Sequence, residues 1–355
     1  VKVLIVKASA LGDVIHALPV LAWLRSADPA MEIDWLVEEG FAPLLEDHPL
    51  LRQVQRIATR RWRRAGRLAA AGETLRTLAA LRRERYDVVL DLQGNSKSGL
   101  FTRFCGAPRR YGFAQDGVRD WPNLLATSHR VALAGANHHI SERSLAIARA
   151  AFPTGQEHVL AGPLSVTPAA DQRVKALLAE AGLLDRRFAV LHYGTTWPTK
   201  LWAVEQWQAL VQHLGAATGL VPVLTWGSAE ERAVVEAIAR AADHAVVWPR
   251  GTLPELAALL ARAIVVIGGD TGPVHLAAAL DTPTVSLFRV TDAERNGPRG
   301  ERHVRLQAPL ECSPCLRKHC DRDGECSRSI TAADGLAALR ALGIATTAAT
   351  GQRQP

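Results

Sequence analysis

The sequence predicts an α/β chain of two parallel-sheet domains facing each other across a cleft. Three observations predict it. A glycine-acid turn follows an apolar run in each half: Lys7-Ala8-Ser9-Ala10-Leu11-Gly12-Asp13 after Val3–Val6, and Gly268-Gly269-Asp270-Thr271-Gly272-Pro273 after Ile264–Ile267. Strand-like and helix-like segments alternate on both sides of a stretch rich in proline and glycine, Phe152–Ala169. Such alternation indicates βαβ units, and open α/β sheets bind ligands at the carboxyl ends of their strands. A chain of 355 residues is also long for one core and comfortable for two.

In order along the first half, Val1–Lys7, Glu32–Val37 and Tyr86–Leu92 read as buried strands, with helical periodicity over Val14–Ala27 and Gly72–Arg85. The Arg-rich stretch 59–71 lies between elements and reads as a loop or helix start. In the second half, Ala189–Tyr193, Val221–Trp226, Ala245–Trp248, Ile264–Ile267 and Thr284–Phe288 are strand-like. Helices fit Val204–Thr218, Glu230–Ala241, Leu253–Arg262 and Val274–Leu280. The expected domains are 1–160 and 161–330. A last helix within 331–344 is expected to pack back on the first domain, and a flexible tail to occupy 345–355.

Composition narrows the function. With 48% hydrophobic and 22% charged residues, the chain reads as an ordinary globular protein. No apolar run approaches the roughly 18–20 residues that span a bilayer; the longest contender, Leu253–Gly268, carries Glu255 and Arg262. The start lacks a basic segment followed by an apolar one, so a cytoplasmic location is expected. The net charge of +7 is concentrated at Arg60-Arg61-Trp62-Arg63-Arg64, which points to an anionic partner. Aromatic content of 5% and the lack of a zinc-finger, RNP or helix-turn-helix signature argue against nucleic acid.

Each motif admits two readings. Asp13 opens a helix, where it can cap the chain or serve as a general base. Thr271 can cap the helix after the second turn, and its glycines let a ligand approach the backbone, with first-turn amides suited to phosphate. Neither turn is a Walker loop or a Gly-x-Gly-x-x-Gly fingerprint. Thr195, Thr196 and Lys200 follow a strand end, as a capped turn or as a diphosphate site in which Lys200 neutralises leaving-group charge. Glu230 and Glu231 begin a helix, favouring its dipole or binding ribose hydroxyls. Cys312, Cys315, Cys320 and Cys326 are four of five cysteines, gathered within 15 residues. They can form a structural tetrathiolate site for zinc or iron, remain free or redox-active thiols, or pair as disulfides. Cys105 reads as core.

These residues carry a resemblance. The segments Lys7-x-Ser9-x-Leu11-Gly12-Asp13-Val14-x-His16-x-Leu18-Pro19, Asp91-Leu92-Gln93-Gly94-x-x-Lys97-Ser98 and Gly269-Asp270-Thr271-Gly272-Pro273-x-His275-Leu276 resemble the lipopolysaccharide heptosyltransferases of glycosyltransferase family nine. The likeness runs from about residue 1 to residue 342. Ile33–Ala42 together with Arg60–Arg63 is most similar to the type I enzymes, whereas the cysteine cluster is closer to type II.

The resemblance implies a GT-B fold of two Rossmann-like domains and inverting transfer of heptose from ADP-heptose to Kdo-lipid A. It assigns Asp13 as base and Lys200 to the donor phosphates. Thr195, Thr196, Glu231, Asp270, Thr271, Gly272 and His275 fall in the donor site. Arg60, Arg61, Arg63, Arg64, Lys97, Arg119 and Arg143 fall where phosphates and carboxylates of the acceptor bind. No cofactor is implied for catalysis, and the protein is expected to sit peripherally on the inner face of the inner membrane. A type II acceptor, a sugar-nucleotide epimerase and a non-catalytic surface-binding protein are the competing readings.

Overall fold

The computed structural model describes residues 1–59, 61–62, 66–135, 138–156 and 164–344. The chain divides into two compact units, Val1–Ser165 and Val166–Pro355, close to the expected boundary at 160. The expected tail, 345–355, lies outside the described residues.

The first unit runs β1 (Lys2–Val6), α1 (Leu11–Ala17), α2 (Pro19–Ala27), β2 (Glu32–Glu38), β3 (Gln53–Ile57), α3 (Arg67–Arg83), β4 (Val88–Asp91), α4 (Ser96–Phe104), β5 (Arg109–Phe113), β6 (His129–Val131) and α5 (Ile140–Ala151). A short 3-10 turn, Trp121–Leu125, precedes β6. The strands form one sheet in the order β3-β2-β1-β4-β5-β6, all parallel. Central β1 and β4 are apolar because both their faces are covered: Val3 to Val6 and Val88 to Leu90 are buried.

The second unit repeats the plan with α6 (Pro168–Glu180), β7 (Phe188–His192), α7 (Val204–Thr218), β8 (Val221–Thr225), α8 (Ala229–Ala239), β9 (Val246–Val247), α9 (Leu253–Arg262), β10 (Val265–Gly269), α10 (Gly272–Ala279), β11 (Thr284–Phe288), α11 (Ala293–Asn296), β12 (His303–Gln307), α12 (Asp323–Arg328) and α13 (Ala332–Ala341). Its parallel strands lie in the order β12-β11-β10-β7-β8-β9. Numbered within each unit, both sheets have the doubly wound order 3-2-1-4-5-6 of a dinucleotide-binding domain. The order reverses between β1 and β4 in the first sheet and between β7 and β10 in the second, so each sheet has one switch point.

One expectation needs correction. The sequence sets the last helix against the first domain, but α13 spends its apolar face on the second. Ala332, Ala338 and Leu339 join the core built by Trp207, Leu210 and Leu214 of α7 with Val285 of β11. The Trp202 indole donates to Ile330 O at 2.8 Å just ahead of it. Among the described residues no helix is long and apolar enough to cross a membrane.

Candidate active site residues at the two switch points

The first switch point is built from the ends of β1 and β4. Lys7, one residue past β1, is buried, and its ammonium donates to Leu92 O at 2.8 Å. Gln93 Oε1 accepts from the amides of Ala8 at 3.1 Å and Ser9 at 3.2 Å, tying the loop after β1 to the loop after β4. Asp91 anchors that second loop. Fully buried, it accepts from the amides of Gln93 and Gly94, from the Thr102 hydroxyl and, at 2.7 Å, from the Asn123 amide. Gly94 turns there with φ 67, a left-handed conformation natural to glycine, and its carbonyl accepts from the amide of Arg119 at 2.7 Å.

Asp13 stands on α1 above this floor. The helix begins at Leu11 with Ala10 as N-cap, so Asp13 is the third helical residue, not the cap residue the sequence suggests. Its Oδ2 accepts from the Ala10 amide at 3.1 Å, and its Oδ1 lies 4.0 Å from the Lys7 ammonium. The side chain keeps 35% of its surface accessible, so a carboxylate held at one oxygen can still meet a substrate hydroxyl. Burial pushes the Lys7 ammonium down. Asp13 and Asp91 counteract that, and Arg143 and Arg119 add to it. These two arginines are therefore close enough to Lys7 to act on it electrostatically. The Arg143 guanidinium is itself fixed by Gly117 O at 3.1 Å and stacks 5.6 Å from the Phe113 ring centroid.

The remaining acceptor candidates divide. Lys97, exposed near the start of α4, reaches the Thr59 hydroxyl at 3.5 Å. Thr59 is in turn locked to buried Glu38, its amide donating to Oε2 at 3.1 Å and its hydroxyl to Oε1. Arg61 is exposed but already paired, with Glu73 at 3.1 Å and Glu39 at 3.5 Å, while the neighbouring Trp62 indole donates to Glu73. Arg60, Arg63 and Arg64 lie outside the described residues.

The second switch point is built from the ends of β7 and β10. Lys200 closes a 3-10 turn, Pro198–Lys200, after the loop carrying Thr195, half-buried, and Thr196, exposed. Its ammonium meets Asp270 Oδ2 at 2.7 Å and Asp270 O at 3.3 Å. Asp270 Oδ1 is 3.0 Å from His275 Nε2 on α10, and Asn296 Nδ2 lies 3.5 Å from Oδ2. Burial alone would push the Asp270 carboxyl up. The His275 bond and charge and the Lys200 ammonium outweigh it and hold Asp270 well below the usual carboxylate range. Gly269 permits this closeness: a Cβ there would stand 3.3 Å from Lys200 O.

Thr271 is the N-cap of α10, but its side chain makes no capping bond. Among the described residues its buried hydroxyl has no hydrogen-bond partner, a cost that a ligand oxygen would relieve. Gly272 is the first residue of that helix. Glu231 does cap: Oε2 accepts from the amides of Gly227 at 2.6 Å and Ser228 at 3.2 Å, and Ser228 Oγ accepts from the Glu231 amide. The same carboxylate packs over the end of β7, where a Cβ on Gly194 would fall 2.4 Å from Oε2. Glu230 is exposed.

The cysteines do not fit a tetrathiolate centre. Cys312 is exposed, Cys315 and Cys320 are half-buried, and Cys326 on α12 is buried in the core of the second unit. Among the described residues no three His, Cys, Asp or Glu side chains converge to hold a metal ion. All five thiols are free, with Cys105 in the first core as the sequence suggests.

The first unit thus carries a partly exposed carboxylate at its switch point, and the second a lysine beside helix-start amides at its own. A profile of glycosyltransferase family 9 (heptosyltransferase) matches residues 74–324. The chain belongs to this family. It is a glycosyltransferase, and its two doubly wound domains give it the GT-B fold. Lipopolysaccharide heptosyltransferase 1 of Pseudomonas aeruginosa is 37% identical over 90% of this chain and 87% of its own length. The protein of the same name from Escherichia coli K12 is 32% identical over 87% and 94%. The crystal structure of an Escherichia coli heptosyltransferase with ADP-2-deoxy-2-fluoro heptose superposes with TM-score 0.75 at 29% identity, covering 96% of this chain and 99% of that one.

Sequence reasoning gave no role to the residues that hold the candidate site residues in place. Lys7, Asp91 and Gln93 stand in the quoted motifs, but their contacts are tertiary, and Asn296 left no signal at all.

Proposed function

We propose that this glycosyltransferase moves heptose from ADP-heptose to a Kdo hydroxyl of Kdo-lipid A, with inversion at the anomeric carbon. The half-exposed Asp13 carboxylate at the first switch point carries the reading, because it is the base such a step needs. Asp13 takes the proton of the attacking hydroxyl. That oxygen forms the new bond to the anomeric carbon while the bond from carbon to the diphosphate oxygen breaks, and ADP leaves with the electron pair. Lys200, oriented by Asp270, meets the charge that develops on the leaving diphosphate, assisted by Thr195, Thr196, the Thr271 hydroxyl and the first-turn amides of α10. Glu231 is the candidate for the ribose hydroxyls.

Arg119, Arg143 and Lys97, with the arginines at 60–64, suit the phosphates and carboxylates of the acceptor. No residue role in this scheme calls on a metal ion or cofactor. A lipid-borne acceptor places the enzyme peripherally on the inner face of the inner membrane.

The test measures ADP release from ADP-heptose with Kdo-lipid A. Asp13→Asn keeps an oxygen for the Ala10 amide and removes the base, so kcat should fall by roughly a thousandfold with thermal stability retained. Undiminished turnover in that variant would remove Asp13 from the mechanism. Conversion of ADP-heptose without acceptor would favour an epimerase instead.

A further inference from the structure

We propose that α4 and the 3-10 turn Trp121–Leu125 together form a docking face that seats the first domain on an anionic bilayer, a surface that rests on the lipid-borne acceptor proposed above. Single exposed apolar residues are ordinary, but a group gathered on two elements packed together is not. Among the described residues, four of the nine large apolar side chains left exposed fall on these two short elements: Leu100, Phe104, Trp121 and Leu125.

The elements are packed side by side. Ser96, opening α4, donates from its amide (2.9 Å) and its hydroxyl (3.2 Å) to Asp120, next to Trp121. A Cβ on Gly99 would touch Asn123 and Ala126 at 3.2–3.4 Å. With that flank of α4 buried, Leu100 and Phe104, four apart, stand together on its outer face. Trp121 and Leu125, at the two ends of the 3-10 turn, are 70% and 68% exposed. Nothing in the fold of the domain needs these two large side chains in water.

Charge decides the occupant. The Arg103 guanidinium lies 5.7 Å from the Phe104 ring centroid, and Arg130 reaches Leu124 O at 3.0 Å. Asp120, the acid at this edge, is occupied by Ser96. An apolar centre with a tryptophan and an arginine rim matches the interfacial layer of a membrane bearing anionic headgroups. Two copies of this chain meeting face to face would instead oppose their guanidinium groups. The face also adjoins the proposed acceptor residues, since Lys97 is on α4 and Arg119 is two residues before Trp121.

Flotation of the full chain tests this with vesicles of phosphatidylcholine alone and of phosphatidylcholine mixed with phosphatidylglycerol. The wild type should float with the mixed vesicles. Trp121→Ser/Leu125→Ser should weaken that association roughly tenfold or more, and Arg103→Glu/Arg130→Glu should abolish the preference for anionic lipid. Both variants should transfer heptose normally to an acceptor freed of its acyl chains, which shows that they are folded. Equal flotation of wild type and Trp121→Ser/Leu125→Ser, or no flotation of the wild type, overturns the proposal. So does a wild-type dimer in light scattering that this variant dissolves. Flotation of the wild type that Trp121→Ser/Leu125→Ser loses, in a protein that transfers heptose to no acceptor, would leave the docking face standing and remove the proposed reaction.

Discussion

Asp13 faces the lysine that follows β1, a neighbour whose role no sequence pattern states. Lys7 is buried, lies 4.0 Å from Asp13 Oδ1 and donates to Leu92 O. Lys7→Met keeps much of the side chain's length and removes the ammonium that faces Asp13 and ties the loop after β1 to the loop after β4. It should lower kcat/KM by roughly tenfold or more, with a smaller loss of melting temperature than Lys7→Ala. Undiminished kcat/KM in steady-state kinetics would show that Asp13 works without the ammonium. The same comparison explains what was legible at this scale. Asp13 and Asp270 stand out because a charged residue beside glycine just past a strand has few structural reasons to be there, and Lys200 because it follows a loop with two adjacent threonines. Asp91 and Gln93 look like any polar residues after a strand, and only the contact between β1 and β4 gives them work. Thr271 shows the reverse: its position is that of a cap, but its hydroxyl is left for something else.

At the scale of elements, the buried centre of each sheet was readable, and of the edge strands only β9 was. β1, β2, β4, β7, β8, β10 and β11 are apolar runs covered on both faces. β3 reads Gln-Val-Gln-Arg-Ile, β12 reads His-Val-Arg-Leu-Gln, and both are half-exposed edge strands. β5 and β6 lie toward the other edge of the first sheet, and β6 has three residues. The helix α13 was found in sequence but set on the wrong domain, because an amphipathic stripe shows that a face is buried and not which surface buries it. Glu231 belongs to this scale as well, since it serves α8 as a cap and is also the proposed ribose ligand. Gln can fill the same capping role, so Glu231→Gln separates the two. It should leave the melting temperature nearly unchanged while raising KM for ADP-heptose several-fold, as a charge-assisted hydrogen bond to the ribose is weakened. Unchanged KM in steady-state kinetics would reduce Glu231 to a cap.

For the whole molecule, two buried histidines of the second domain set how stability depends on pH. In the second domain His192, at the end of β7, is buried with Nδ1 2.9 Å from the Thr225 hydroxyl, and burial pushes it from 6.5 down to about 4. His303 on β12 is likewise lowered to about 4 by burial and by the neighbouring Arg302. Each folded-state value lies below the unfolded one, so the unfolded chain binds more protons once the pH drops under 6.5. Stability is then complete above that value and is lost as pH falls toward 4, by about 1.4 kcal/mol per unit for His192. Asp270, held low by Lys200 and His275, stays ionised throughout this interval and does not mask the effect. Urea unfolding followed at about pH 7 and about pH 5 should therefore show a loss of about 2 kcal/mol from His192. His192→Gln, which cannot titrate, should reduce the slope to the share that His303 supplies, even if it lowers stability at neutral pH. A midpoint that does not move between the two conditions, or a slope untouched by that substitution, would show that the end of β7 admits a charged imidazole.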